Sequence, residues 1–91
     1  MVGGIASFRF SKRFKKEYKK LPSSIQNNFK SKLKFLLTDM QHPSLRIKRI
    51  QGTKSRWEGS ITMKYRFTFE FDENTLVFRG IGTHDILDNA E

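Results

Sequence analysis

Between Tyr65 and Phe71 the chain alternates aromatic and polar side chains without a break, reading Tyr-Arg-Phe-Thr-Phe-Glu-Phe. A period of two belongs to a strand, whose successive side chains point to opposite faces; on a helix the same rings would scatter around the axis. The pattern predicts a strand with Phe67, Phe69 and Phe71 on a core face and Arg66, Thr68 and Glu70 sharing the other. The rest of the chain has to cover that apolar face.

Two neighbouring segments extend the sheet. From Trp57 to Met63, Trp57, Ile61 and Met63 fall on one side and Glu58, Ser60 and Thr62 on the other, the alternation of a half-buried strand. Lys64 sits near the connection to the next strand. Leu76 to Gly82 reads as a more apolar strand, and Thr83-His84-Asp85 leaves its end. Asp72-Glu73-Asn74 makes the tight connection before it, with Asn74 the candidate for a left-handed backbone.

The N-terminal half supplies the cover. Ala6, Phe8 and Phe10 alternate with Ile5, Ser7 and Arg9, which predicts a first strand. Ser11 then caps a helix in which Phe14, Tyr18 and Leu21 recur at helical spacing among Lys12, Arg13, Lys15, Lys16, Lys19 and Lys20. Pro22 ends it, and Ser23 followed by Gln26 fits a capping box. Ile25, Phe29, Leu33, Leu36, Leu37 and Met40 form the stripe of a second, longer helix. His42 precedes Pro43 in a loop and reads as an ordinary loop residue; Leu45 to Ile50 is predicted to be a short strand carrying Arg46, Lys48 and Arg49. The order β, α, α, β, β, β, β predicts an α+β fold, with a two-helix hairpin on one face of a mainly antiparallel sheet of four to five strands.

Residues 1–91 show no repeat, linker or low-complexity tract, so a single domain is expected. Zero cysteines exclude disulfides and thiolate metal sites and fit a cytoplasmic address. No apolar run reaches membrane-span length, and Met-Val-Gly-Gly is not patterned as a signal peptide. Neither metal-ligand spacing nor a glycine-rich phosphate loop is present, so no cofactor is expected.

Charge narrows the partners. The net charge is +9, and it is polarised: residues 1–69 hold 17 basic and three acidic side chains, residues 70–91 one basic and six acidic. Such a chain is drawn to polyanions through counterion release, or to an acidic protein that imitates them; the plainer reading is a solvated surface. The uncovered sheet face should present Glu58, Ser60, Thr62, Arg66 and Thr68. The cations Lys48, Arg49, Lys54, Arg56 and Lys64 are the candidate RNA- and phosphate-binding residues around it.

The series Phe10-Ser11-Lys12-Arg13-Phe14-Lys15-Lys16, Lys20-Leu21-Pro22, Leu45 to Gly52, Trp57, Tyr65-Arg66 and Gly82-Thr83-His84 resembles the RelE/ParE superfamily of toxins from bacterial and archaeal toxin–antitoxin pairs. The resemblance covers nearly the whole chain and is closer to RelE and YafQ-like ribonucleases than to ParE. It implies a ribosome-dependent endoribonuclease that cuts messenger RNA in the decoding site, touches ribosomal RNA there, and is silenced by a cognate acidic antitoxin. The reaction it implies is attack of a 2′-hydroxyl on the adjacent phosphate, which needs a base, an acid and fixed cations.

Carried over by position, the resemblance makes Arg66 a phosphate-contacting arginine and His84 the proton-transfer residue, and it matches Lys48 to a basic or histidine position at the start of the site. Glu58 and Ser60 stand where RelE carries lysines, Ser60 also replaces a YafQ histidine, and Asp88 replaces an aromatic residue. Glu58 is then a candidate general base, or a cross-strand partner of Arg66. His84 is alternatively a strand-end histidine partnered by Asp85. Two readings from other classes compete: a ParE-like poison of DNA gyrase that acts by binding, and a noncatalytic RNA-binding member of the fold.

Overall fold

The computed structural model describes residues 7–52 and 55–83. In order these form β1 (Ser7–Phe10), α1 (Lys12–Lys19), α2 (Ser23–Thr38), a 3₁₀ turn (Pro43–Leu45), β2 (Lys48–Arg49), β3 (Trp57–Ser60), β4 (Tyr65–Asp72) and β5 (Thr75–Thr83). One sheet runs β1-β5-β4-β3-β2; β1 pairs with β5 in parallel and every other pair is antiparallel. This is the α+β arrangement the sequence predicts, with β1 at one edge; the predicted strand residues Ile5 and Ala6 lie outside the described residues.

The aromatic alternation builds the core as expected. Phe67 and Phe69 of β4 are fully buried against Phe78 of β5, and Phe14 and Phe29 bring the two helices onto the same cluster. Phe29 meets both Phe67 and Phe78 edge-on, with ring centroids 5.4 and 5.6 Å apart, a favoured aromatic geometry. A bulge at Thr68/Phe69 leaves Arg79 of β5 without an opposite residue, so Phe78 and Ile81 both face the core although three positions separate them. Phe71 departs from its prediction: at the far end of β4 it is exposed.

Helix α1 continues the sheet edge where β1 stops. The Ser11 hydroxyl accepts from Phe14 N at 3.1 Å, as its capping role requires, while Ser11 N donates to Phe78 O. One turn and a half later, Glu17 Oε1 accepts from Ile81 N at 3.0 Å. A side-chain carboxylate thus takes the edge amide that a longer β1 would have paired.

Several local expectations fail for identifiable reasons. The capping box at Ser23 does not form, because Pro22 is the N-cap and makes no side-chain cap bond; Gln26 donates instead to Tyr18 O at 2.9 Å, tying the two helices together. Leu37 lies on the exposed side of α2, and Met40 packs on the core from beyond the helix end. The strand predicted over Leu45–Ile50 shrinks to Lys48–Arg49. His42 Nδ1 accepts from Ser44 N at 3.2 Å and caps the 3₁₀ turn, after which Arg46 is left-handed at φ 49. Likewise β3 stops at Ser60, since the Thr62 hydroxyl accepts from both Lys64 N and Tyr65 N at 3.2 Å, and Met63 becomes exposed. In the β4–β5 turn the left-handed residue is Glu73, at φ 58, and not Asn74.

Candidate functional site

The sheet face turned away from the helices carries alternating charges. Glu58 pairs in register with Lys48 on β2 and Thr68 on β4, and Arg66 pairs with Ser60 on β3 and Gly82 on β5. Around them run two clamps of the same design. Glu58 lies 3.7 Å from Lys48 Nζ and 3.8 Å from Arg66 Nε; Glu70 lies 2.9 Å from Arg56 Nε and 3.6 Å from Arg79 Nη1. Each carboxylate serves two cations, so each clamp keeps a net positive charge. Arg9 and Asp72 extend the row, 3.7 Å apart.

The face is less open than its polarity predicts. Glu58, Ser60 and Thr68 are 6%, 7% and 3% exposed. Arg56 and Arg66, which reach the carboxylates, are themselves mostly buried. Arg66 Nη1 donates to Thr62 O at 2.6 Å. That bond and Glu58 together fix the plane of the guanidinium, while Nη2 has no hydrogen bond to a described residue. A fork held on two sides with a remaining pair of donors is suited to an oxyanion.

Of the predicted site residues, Arg66, Glu58 and Lys48 come together. Arg56 joins the second clamp, with Glu70 between it and Arg79. Lys64 is exposed on the β3–β4 turn, two positions before Arg66. Arg49 is in register with Trp57, which packs on the core, so strand parity puts it on the opposite face from Lys48. His84 and Lys54 lie outside the described residues. The sequence reading passed over Arg79, although it alternates with the core residue Phe78, and Arg13 of α1, which lies close to Gly80 beside Thr68.

A second feature lies on the helix side. Phe8, Phe10, Phe14, Tyr18 and Leu33 wall a groove of about 470 Å³ between β1, α1 and α2, rimmed by Lys15, Lys19 and Lys30. Phe8 is 40% exposed there. Burial pushes the Tyr18 phenol above its ordinary value of 10.0. Among the described residues no helix is long and apolar enough to cross a membrane.

Neither a protein-family model nor a curated protein sequence matches the chain. Solved structures do. The toxin–antitoxin complex RelB-RelE from Methanococcus jannaschii matches with a TM-score of 0.71 at 22% identity, covering 88% of this chain and 94% of that one. YafQ from E. coli matches with a TM-score of 0.74 at 16% identity, over 88% and 94% of the two chains. The YoeB dimer from Staphylococcus aureus matches with a TM-score of 0.73 at 13% identity, over 90% and 99%. The chain therefore has the RelE-like toxin fold, over nearly the full length of each neighbour.

Proposed function

We propose that this chain is the toxin of a toxin–antitoxin pair and acts as an endoribonuclease on messenger RNA at the ribosome. The observation that carries the reading is the setting of Arg66. Its guanidinium is held by Glu58 and Thr62 at the end of the sheet, in register with Gly82, and His84 follows Thr83, the last residue of β5, directly in the sequence.

In the proposed reaction the 2′-oxygen attacks the neighbouring phosphorus while the bond to the 5′-oxygen breaks. The 2′-hydroxyl loses its proton to a base and the departing 5′-oxygen gains one from an acid, leaving a cyclic phosphate and a 5′-hydroxyl. Arg66 supplies charge and directed donors to the crowded phosphoryl oxygens, and His84 is the residue proposed to transfer a proton, since imidazole titrates near neutrality. Lys48, Arg56 and Lys64, with Lys54, are proposed to hold the RNA backbone, to which the site would add Arg79.

The proposed partner that silences the toxin is an acidic, amphipathic segment of an antitoxin. The groove beside Phe8 and Tyr18 has the matching character, apolar along its floor and cationic at its rim. Primer extension on messages recovered after expression tests the function. Breaks within translated codons that vanish with Arg66→Ala and with His84→Ala are the expected result; intact messages together with gyrase-linked DNA breaks overturn it.

A further inference from the structure

The cations of the sheet face are already partnered. Arg9, Lys48, Arg56, Arg66 and Arg79 each stand between 2.9 and 3.8 Å from a carboxylate. Lys32 and Arg46 do not: neither forms an ion pair with a described residue. These two line a single pocket of about 240 Å³ with Ser44, Ser60, Thr62 and Met63, between α2, the 3₁₀ turn and the β3–β4 connection, and among the described residues no carboxylate lines it. Two cationic residues lining one concavity, with no counter-charge among the described residues, give it a positive potential that draws an anion.

Three further details point the same way. Lys32 Nζ is steadied by Ser44 O at 3.4 Å, which directs the ammonium at the 3₁₀ turn. Arg46 holds its place on a left-handed backbone, φ 49, where glycine would be relaxed and an arginine is strained. Ser60 is nearly buried, lines the pocket, and its hydroxyl makes no hydrogen bond to a described residue.

The pocket also adjoins Arg66. Ser60 is the register partner of Arg66, and Thr62, whose carbonyl accepts from the Arg66 guanidinium, forms part of the wall. We propose that this pocket is a second anion site, in which Lys32 and Arg46 hold the phosphate next to the one at Arg66 on a single RNA strand. This rests on the nuclease reading and adds to it: gripping two successive phosphates fixes the register of the strand, so that one defined bond lies at the reactive groups. The Ser60 hydroxyl is placed to meet the sugar between them.

The test uses the full chain and a 2′-O-methyl RNA dodecamer, which lacks the attacking hydroxyl and survives intact, with affinity measured across a salt series. Lys32→Ala and Arg46→Gly should each weaken binding and lower the slope of log affinity against log salt by about 0.7, the value for one phosphate contact on a single strand. Lys32→Arg and Arg46→Lys should restore it. Arg46→Gly relieves the left-handed strain, so it should melt no lower than the parent and its loss of binding cannot be misfolding. RNA binding with unchanged slopes in both variants overturns the pocket and leaves the nuclease reading standing. Should the parent not bind the free dodecamer, the ribosome-dependent reading is left to the primer-extension test, and inorganic pyrophosphate tests the pocket by itself. A rise in the parent's melting midpoint that the double variant Lys32→Ala/Arg46→Gly abolishes supports an anion site, and no rise in the parent overturns it.

Discussion

Glu58 reaches Arg66 diagonally across the sheet, Oε1 to Nε at 3.8 Å, while the register partner of Glu58 on β4 is Thr68. Its other oxygen is 3.7 Å from Lys48 Nζ. Both oxygens are thus occupied by cations, which suits a clamp better than a base that must receive a proton. Glu58→Gln should keep RNA cleavage within about tenfold of the parent and tighten RNA binding at low salt, because two cations lose their competitor. Arg66→Ala should lower cleavage by roughly 100-fold or more. Cleavage assays with both variants separate the roles: a collapse in Glu58→Gln with binding retained would make Glu58 the base.

The same carboxylate logic appears at the sheet edge. Glu17 Oε1 accepts from Ile81 N at 3.0 Å and Oε2 from Arg13 Nε at 3.1 Å. Glu17→Ala leaves a half-buried backbone N–H without its partner and should cost about 1 to 3 kcal/mol. Glu17→Gln keeps an acceptor and should recover most of that. Urea unfolding gives the difference as a shift in midpoint at constant slope, and amide exchange at Ile81 should speed up in the alanine variant alone.

Gly59 has a steric reason to be glycine. A Cβ there would run into the Phe67 ring, 2.7 Å from Cε1, and would sit 3.0 Å from Ile47 Cδ1. Phe67 is fully buried, so the ring cannot swing away. Gly59→Ala should destabilise the fold by about 1 to 3 kcal/mol. A melting midpoint equal to the parent's would mean that β3 and β4 can separate enough to admit a methyl group.

How far the sequence could be read follows from which forces act locally. The alternation survives at Phe67 and Phe69 because burial reads it directly, and Ser11 caps α1 because the N–H its hydroxyl accepts from is only three residues away. Ser23 fails as a cap because Pro22 takes the N-cap position, and Gln26, the other half of the box, donates to Tyr18 O on the preceding helix instead. In the site, parity places Arg66, Glu58 and Lys48 on one face, yet it says nothing of the closure that leaves Ser60 and Thr68 nearly inaccessible. Arg79 follows the core residue Phe78, so parity alone places it on the polar face; the bulge that leaves it opposite no residue of β4 has no signal in the sequence. The pocket of Lys32 and Arg46 joins a helix to a turn that has no period to read.

Glu73 holds the left-handed position in the two-residue turn between Asp72 and Thr75, which pair across it. A non-glycine residue there carries a penalty of about 1 kcal/mol that glycine avoids, partly offset by the greater freedom glycine gives the unfolded chain. Glu73→Gly should therefore stabilise by about 0.5 kcal/mol, a rise of roughly 2 to 4 °C in a domain of this size. Removing a carboxylate from the acidic end of the chain should also leave RNA cleavage unchanged. A lower melting midpoint would show that the Glu73 side chain holds the turn by some other contact.

Tyr18 gives the fold a pH dependence whose sign is fixed by the chemistry. Its phenol is neutral when protonated, donates to Gln26 O at 3.3 Å, and packs in the aromatic cluster between Phe14 and Phe29. Burial disfavours the phenolate, so the folded-state pKa lies above the unfolded value of 10.0. As pH rises past 10 the unfolded chain releases this proton while the native chain keeps it, so the native state binds more protons and stability falls with pH. The contribution is whole below the unfolded pKa and is lost as pH climbs through the folded one. Tyr18→Phe should be less stable than the parent by about 0.5 to 1.5 kcal/mol near neutrality, from the lost hydrogen bond. Above pH 10 the two should converge, because phenylalanine has no proton to lose. Denaturant midpoints measured for both from pH 8 to 11 check this, and curves that stay parallel across that range would mean the phenol ionises as easily in the folded chain as in the unfolded one.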